Sequence, residues 1–273
     1  MRPFIKSGQV GAVRVATRPD AIDAEWLRRL RDVFGLATVE LGVQSFDAGV
    51  LSVLGRSHSQ SDVANAMHVL KSLQLRTSLH LMIGCPGERP EADFEALQQI
   101  RELRPDFVRI HPLLILKDTI LERHWRAGLF KTLDLETAVD RAAWLTRELE
   151  SNGVGVIRLG LQPNELLGES VVAGPYHPAF GDLVRGRMLR SRVAHLIQGA
   201  FEAGPGGPPS KQLKAVIESP EQLSGALKGP KKTNLEWLRT RFDLSSVTVR
   251  VVQDAATNHG EIKVRLHHIT GSA

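Results

Sequence analysis

The chain has 273 residues, of which 42% are hydrophobic and 24% are charged, and its formal net charge is +5. No run of about 18 uncharged apolar residues occurs, which argues against a membrane span, and the amino-terminal residues lack the apolar core of a signal peptide. The single cysteine, Cys85, excludes an internal disulfide and any iron–sulfur cluster held only by thiolates of this chain. These features predict a cytoplasmic protein with one sizeable domain and a smaller one.

The first 165 residues alternate between predicted strands and predicted helices. Short apolar runs rich in β-branched residues predict strands at 10–17, 38–43, 77–83, 107–113 and 154–159. Apolar periodicity and capping residues predict helices at 23–34, 47–54, 61–73, 91–103, 119–127 and 135–152. This order predicts a parallel sheet with helices outside it. Five strands are too few for an eight-stranded barrel, so they fit an open sheet or an incomplete barrel.

The regular alternation stops near residue 165, and three further segments follow. We predict a helical extension that caps the barrel at 166–203, a Gly- and Pro-rich linker at 204–210, and a small α+β module at 211–273. The module contains predicted strands at 211–217, 247–252 and 261–267 and predicted helices at 220–227 and 233–242.

Positive charge is concentrated in the carboxyl-terminal part of the chain. Residues 171–273 contain 14 Lys and Arg against 8 Asp and Glu, whereas the preceding residues are nearly balanced. Such an excess is suited to phosphate backbones, although a solvated basic surface explains it equally well.

Two polar residues at the end of the second predicted strand are suited to ligand binding. The Gln44 amide both donates and accepts hydrogen bonds, which suits a ribose or a carboxylate. Arg56 follows the next predicted helix, and its guanidinium is suited to bidentate hydrogen bonding with a carboxylate or phosphate. The structural alternatives are a strand-end cap for Gln44 and a surface ion pair for Arg56.

Other polar residues have simpler interpretations. Glu40 interrupts an apolar strand, and an unpaired buried carboxylate is costly, so we expect a pair with Arg14 or Arg109 on a neighbouring strand. We expect Cys85, before a proline, to be a small apolar side chain rather than a ligand or nucleophile. A metal site is the less favoured interpretation of three histidines from separate strand–loop regions, which are His58, His80 and His111.

Eight short segments occur in order within residues 8–190. They are VRVATRPD at 13–20, VELGVQSFD at 39–47, GRSH at 55–58, LMIGCPG at 81–87, VRIHP at 108–112, LKDT at 116–119, IRLGLQP at 157–163 and AGPYHPAFG at 173–181. At this spacing they resemble the radical S-adenosylmethionine (SAM) domain of the elongator catalytic-subunit-like family, which is related to the oxygen-independent coproporphyrinogen oxidases.

The resemblance implies a fold and a cofactor site. The fold would be a partial (β/α)6 TIM-like radical SAM barrel. SAM would lie across the carboxyl ends of the strands, where it chelates a [4Fe-4S] cluster and is cleaved to a 5′-deoxyadenosyl radical that abstracts hydrogen from the substrate. Gln44 and Arg56 match positions that contact SAM in relatives. His80 falls where some relatives place an aspartate on the ribose, and Met82 and Pro86 would flank the adenine.

Three further residues are candidates to face the substrate because of their position. His111, Lys117 and Gln162 lie near strand ends on that side, and a packing or surface role is the alternative for Lys117 and Gln162. No catalytic residue and no metal ligand is assigned.

This sequence departs from the family pattern at its amino-terminal end. The family's CxxxCxxC loop and glycine-rich strand end precede the region that matches residue 10, and Ala16 falls where some relatives have a SAM-binding glutamate. We therefore expect a truncated radical SAM protein whose first strands are missing, inactive alone, with a cluster only if the missing segment is present; true loss of the cluster site is the second account. The alternative function is a non-catalytic binding protein, with RNA as the candidate ligand of its basic carboxyl-terminal part.

Overall fold

The computed structural model describes residues 4–5, 7–162, 165–203, 212–252 and 261–268, so the linker predicted at 204–210 lies outside the described residues. Backbone contacts divide the chain into two compact units, Met1–Phe180 and Gly181–Ala273. The domain boundaries predicted at residues 165 and 203 stay predictions.

The first unit is built around a parallel sheet. The strands in its described part are β1 (Val13–Thr17), β2 (Leu36–Gln44), β3 (Arg76–Ile83), β4 (Phe107–Pro112), β5 (Ile115–Leu116), β6 (Gly155–Leu159) and β7 (Val171–Ala173). Five of them form one sheet in the order β1-β2-β3-β4-β6, and every neighbouring pair is parallel. The predicted α/β architecture is therefore confirmed.

Helices connect these strands, and most begin at a side-chain cap. The helices are α1 (Ala24–Phe34), α2 (Ala48–Val53), α3 (Gln60–Ser72), α4 (Ala92–Leu103), α5 (Ile120–Arg126), α6 (Leu135–Ser151) and α7 (Glu165–Ser170). Asp23 caps α1 as predicted, since its Oδ1 accepts a hydrogen bond of 2.7 Å from the Trp26 N–H. Ser59 and Asp62 form a capping box that begins α3.

One face of the parallel sheet is apolar and packs against helices. Val39, Leu41 and Val43 alternate along β2, and each is fully buried. Leu79 on β3 and Ile110 on β4 lie on the same face and are also fully buried. Burying each such side chain contributes roughly 1.5–3 kcal/mol, so this face holds the strands in register.

Two small features of the first unit were not predicted. β5 and β7 form a two-stranded antiparallel pair, and the short helix α7 ends directly before β7. Strands of two and three residues are too short to leave a periodic pattern, because contacts between distant segments determine them.

The second unit is the predicted α+β module together with a long helix. Its elements are α8 (Phe180–Ala203, whose first residue ends the first unit), β8 (Leu213–Ser219), α9 (Glu221–Lys228), α10 (Thr233–Arg241), β9 (Ser246–Val251) and β10 (Lys263–His268). The sheet order is β10-β8-β9, with β9 parallel and β10 antiparallel to β8. Its core includes Val193, Ile197, Ile217, Leu238 and Leu244. No helix within the described residues is long and apolar enough to span a bilayer.

Candidate functional site

The parallel sheet has a second face, opposite the apolar one. Polar side chains follow one another along the strands on this second face. Side chains alternate along each strand, so residues between the helix-packed positions point to this second face. We call it the polar face. Its side chains include those of Arg14, Thr38, Glu40, Ser78, His80, Met82, Arg109, His111 and Arg158.

A buried carboxylate lies at the centre of the polar face. Glu40 Oε1 accepts a hydrogen bond of 2.9 Å from Arg109 Nη1 on β4, and Glu40 Oε2 lies 3.6 Å from Arg14 Nη1 on β1. The Glu40 side chain is only 8% exposed, so its charge depends on these partners. The predicted pairing is confirmed, and it involves both arginines rather than one.

Two histidines meet just beyond this ion pair towards the carboxyl ends of the strands. The rings of His80 and His111 are 4.3 Å apart at 66° in an edge arrangement. Burial, with Arg109 and Arg56 nearby, lowers the pKa of His80 to about 4. Burial, His80 and the neighbouring arginines lower the pKa of His111 to about 3. Both rings are therefore neutral at pH 7.

A β-bulge turns a further arginine onto the polar face. Val108 pairs with Val156, whereas Arg109 pairs with Arg158, so one extra residue, Ile157, is accommodated in β6. Without this extra residue the alternation would send the Arg158 side chain to the helix-packed face. Arg158 was part of the family-like segments but was not predicted as a site residue, because the bulge leaves no signal in its sequence.

The backbone at the end of β2 is strained around Gln44. Gln44 has φ +65°, which is uncommon outside glycine, and the Ser45 N–H donates across it to the Val43 carbonyl at 2.8 Å. His58 Nε2 donates to the same carbonyl at 3.0 Å. The buried His58 therefore holds the turn, a role that the sequence did not indicate.

Gly42 gives the Gln44 side chain its place. A Cβ built on Gly42 would lie 2.9 Å from Gln44 Nε2, so the amide folds back over Gly42 and would have to shift if a side chain stood there. Gln44 itself is 5% exposed. Its amide thus lies at the end of β2, beside the polar face, as predicted.

Arg56 lies in the loop between α2 and α3 and is half-buried. Its guanidinium makes no hydrogen bond or ion pair with the described residues, but it is close enough to His80 to lower the pKa of that ring. The predicted surface ion pair is therefore not formed, and Arg56 is available to a ligand near His80.

An ion-pair network holds the loop after β3. The Glu88 carboxylate accepts the backbone N–H groups of Gly84 and Cys85 at 2.9 and 2.8 Å. Arg141 on α6 joins Glu88 to Asp93 at 2.8 and 2.6 Å. This network fixes the segment that contains the buried Pro86. The sequence did not reveal it, since its members come from three separate segments.

The remaining predicted site residues lie at different depths. Met82 is half-buried on β3 and pairs in register with His111. Lys117 and Gln162 follow β5 and β6 and are exposed. Neither of these two side chains hydrogen-bonds to the polar face among the described residues, so the structure does not join them to His111.

Cys85 behaves as an apolar side chain. It is 5% exposed and packs with Val50, Leu113 and Ile115. Burial, with Glu88 beside it, raises the pKa of its thiol far above the usual range. Within the described part of the chain, no three His, Cys, Asp or Glu side chains are placed to hold a metal ion.

Comparisons with known proteins find relatives for part of the chain. A family model described as the Radical_SAM C-terminal domain matches residues 105–190. The tRNA uridine(34) acetyltransferase of Dehalococcoides mccartyi is 35% identical over 119 residues, which are 42% of this chain and 26% of the relative. Human Elongator complex protein 3 is 28% identical over 136 residues, which are 48% of this chain and 24% of the relative. The chain thus spans about a quarter of the length of these relatives.

A solved structure shares the fold over most of the chain. Methanocaldococcus infernus Elp3 with an N-terminal deletion (1-46) superposes with a TM-score of 0.57 at 27% identity, covering 77% of this chain and 50% of that one. These similarities support the assignment of the chain to the radical SAM superfamily. Its homologues in that superfamily are the tRNA uridine(34) acetyltransferases and Elongator complex protein 3.

Radical SAM proteins bind a [4Fe-4S] cluster and SAM. The residues of this chain fit SAM better than they fit the cluster. A [4Fe-4S] cluster of the SAM-binding type needs about three thiolates. This sequence contains one cysteine, whose buried thiol stays protonated. The residues present therefore do not fit a cluster. SAM fits better, because polar atoms at the strand ends have no partner among the residues that the structure describes, and the buried Nε2 of His80 is one of them.

The neutral histidine pair predicts a specific dependence of stability on pH. Since the folded pKa values of His80 and His111 are lowered, the unfolded chain binds more protons below about pH 6.5. Their contribution to the unfolding free energy is present above that pH and is lost as the pH falls towards about 4, by up to about 1.4 kcal/mol per pH unit for each ring.

Urea unfolding across this range measures the effect. We expect the double variant His80→Gln/His111→Gln to lose stability less steeply than the wild type on acidification. His124→Gln, a change at an exposed histidine on α5, should follow the wild type. Equal slopes for the double variant and the wild type would show that the pair is not held neutral by the fold.

Proposed function

We propose that this chain is the SAM-binding barrel of a radical SAM protein, with SAM lying along the carboxyl ends of β2 and β3. The observation that carries the proposal is the convergence of Gln44, Arg56 and His80 at one strand edge. Gln44 is held there by a strained turn, Arg56 has no acidic partner among the described residues, and His80 is kept neutral by burial.

Each of these groups is suited to one part of SAM. The Arg56 guanidinium suits the carboxylate of the methionine part, and the Gln44 amide suits a polar group that both donates and accepts. His80 Nε2, which is buried and has no hydrogen-bond partner in the described part of the chain, suits a ribose hydroxyl. Met82 and Pro86 offer apolar surface to the adenine.

The substrate would approach from the β4 and β6 side of the same edge. His111 lies there beside His80, and Lys117 and Gln162 lie in exposed segments that follow β5 and β6. When bound together with a reduced cluster, SAM supplies the hydrogen-abstracting chemistry of the superfamily. Because this chain's own residues do not fit the cluster, we propose that it binds SAM but does not cleave it alone.

Equilibrium dialysis with radiolabelled SAM tests this assignment. We expect Arg56→Gln to weaken SAM binding at least tenfold, because a charged hydrogen bond to the carboxylate is lost. Gln44→Gly should also weaken binding while leaving stability within about 1 kcal/mol, since glycine relieves the left-handed strain. Arg28→Gln, at an exposed position of α1, is the matched control.

Two results would contradict the assignment. One is undetectable SAM binding by the folded wild-type chain. The other is an Arg56→Gln variant that binds SAM as well as Arg28→Gln does.

A second candidate function is RNA binding by the second unit. One face of its sheet packs on the helical core, and the other face is largely exposed and basic. The basic side chains on the exposed face are Lys214, Arg250, Lys263 and Arg265. Glu218, the acidic residue at its centre, lies 3.8 Å from Arg250 and 3.3 Å from Arg265. We call this surface the basic sheet face.

The chemistry of the basic sheet face favours a phosphate backbone over bases. The strands place no Phe, Tyr or Trp on this face, where the exposed His267 supplies an imidazole ring, so base stacking contributes little there. Arg250 and Arg265 lie near the buried Glu218 carboxylate and present exposed positive charge that suits phosphates. Relatives named for tRNA uridine favour RNA as the polyanion.

Fluorescence anisotropy with a labelled single-stranded RNA tests this candidate. We expect Lys263→Gln/Arg265→Gln to weaken binding and to reduce the slope of log affinity against log salt by roughly 1–1.5, because two phosphate contacts are lost. Arg192→Gln/Arg241→Gln removes two exposed charges elsewhere in the unit and is the control. RNA affinity that is equal in the two double variants, or independent of salt, would rule the candidate out.

A further inference from the structure

Three buried nitrogen atoms on the polar face have no hydrogen-bond partner among the described residues. They are Arg109 Nε, His80 Nε2 and His111 Nε2. His80 and Arg109 are register partners on β3 and β4, and the two imidazole rings are in contact. Buried polar atoms of this kind are costly unless a ligand or ordered water forms a hydrogen bond with them.

Positive charge surrounds these atoms. Arg109 and Arg14 share the Glu40 carboxylate, which is the only acidic side chain that the five parallel strands place on the polar face. Arg158, beside Arg109 on β6, makes no ion pair with the described residues. The face thus carries more guanidinium charge than its carboxylate balances, and the low-dielectric surroundings strengthen the excess.

Bound SAM would not remove this excess. Its carboxylate balances one of its two positive groups, the sulfonium and the ammonium, so the cofactor adds net positive charge to the strand edge. The positive charge of Arg158 would therefore be balanced by an acidic group of the substrate, which is the second ligand of the site. Planar guanidinium groups such as those of Arg109 and Arg158 bind oxyanions in a two-pronged manner.

We propose that the polar face around Arg109 and Arg158 binds an oxyanion of the substrate, a carboxylate or a phosphate. Arg158 supplies the uncompensated charge, while Arg109 Nε and a histidine N–H donate to the oxyanion oxygens. The proposal deepens the proposed function, because it assigns a substrate class to the same strand edge. It names Arg158 as a substrate-binding residue that β6 supplies through its bulge.

Calorimetric titration of the full chain with two probes, sodium pyrophosphate and sodium malonate, tests the proposal without SAM. We expect the wild type to bind at least one probe at or below about 10 mM at low ionic strength. Binding of pyrophosphate alone identifies a phosphate substrate, and binding of malonate alone identifies a carboxylate. Arg158→Gln should weaken the binding at least tenfold, and Arg158→Lys, which keeps the charge but not the planar fork, should weaken it less.

Controls separate this proposal from the SAM assignment. Arg28→Gln removes an exposed arginine of α1 and should bind the probe as the wild type does. Arg158→Gln should retain SAM binding in the dialysis experiment. Oxyanion binding without SAM binding would leave this proposal standing and remove the SAM assignment.

Three outcomes would overturn the proposal. The first is a wild type that is folded by circular dichroism and binds neither probe. The second is equal binding of the probe by Arg158→Gln and Arg28→Gln, which would place the anion elsewhere. The third is an Arg158→Gln variant that loses SAM and probe together, which would make Arg158 part of the cofactor site.

Discussion

The arrangement of the polar face depends on one buried carboxylate. Glu40 lies in the second strand of the sheet and is shared by Arg109 from two strands away and by Arg14 from the adjacent strand. A buried carboxylate is stable only when its partners are well placed, so this interaction constrains β1, β2 and β4 at the same level. It also holds the Arg109 guanidinium beside His80, where its charge helps to keep that ring neutral. The neutral pair of His80 and His111 lies beside the Glu40–Arg109 ion pair. Arg158, whose charge has no acidic partner among the described residues, lies next to Arg109 on the same face.

The sequence predicted the elements of the fold well and its irregularities poorly. The five parallel strands and the α+β module follow from apolar periodicity, turn residues and caps such as Asp23, all of which are local signals. The pair of β5 and β7 and the bulge at Ile157 depend on contacts between distant segments. These left no periodic trace, which explains why Arg158 was not recognised as part of the site.

The candidate site was predictable in part for the same reason. Gln44 and Arg56 stood out because polar groups at the end of a buried strand are conspicuous, and Glu40 because a lone carboxylate in an apolar strand needs a partner. The hydrogen bonds and ion pairs that hold the neighbouring turn and loop in place could not be predicted from the sequence. His58 holds the Gln44 turn, and Glu88 with Arg141 holds the loop after β3. Single polar residues in loops have many possible partners, and only the folded chain shows which one each takes.

The most direct test of this account is the unfolding free energy of two variants at the Glu40–Arg109 pair. Glu40→Gln keeps the volume but leaves Arg109 without its carboxylate, and the account predicts a loss of about 3 kcal/mol. Glu40→Met/Arg109→Met replaces the pair with apolar side chains of similar size and should stay within about 1 kcal/mol of the wild type. A loss below about 0.5 kcal/mol for Glu40→Gln, as for an exposed ion pair, would contradict the central role of Glu40.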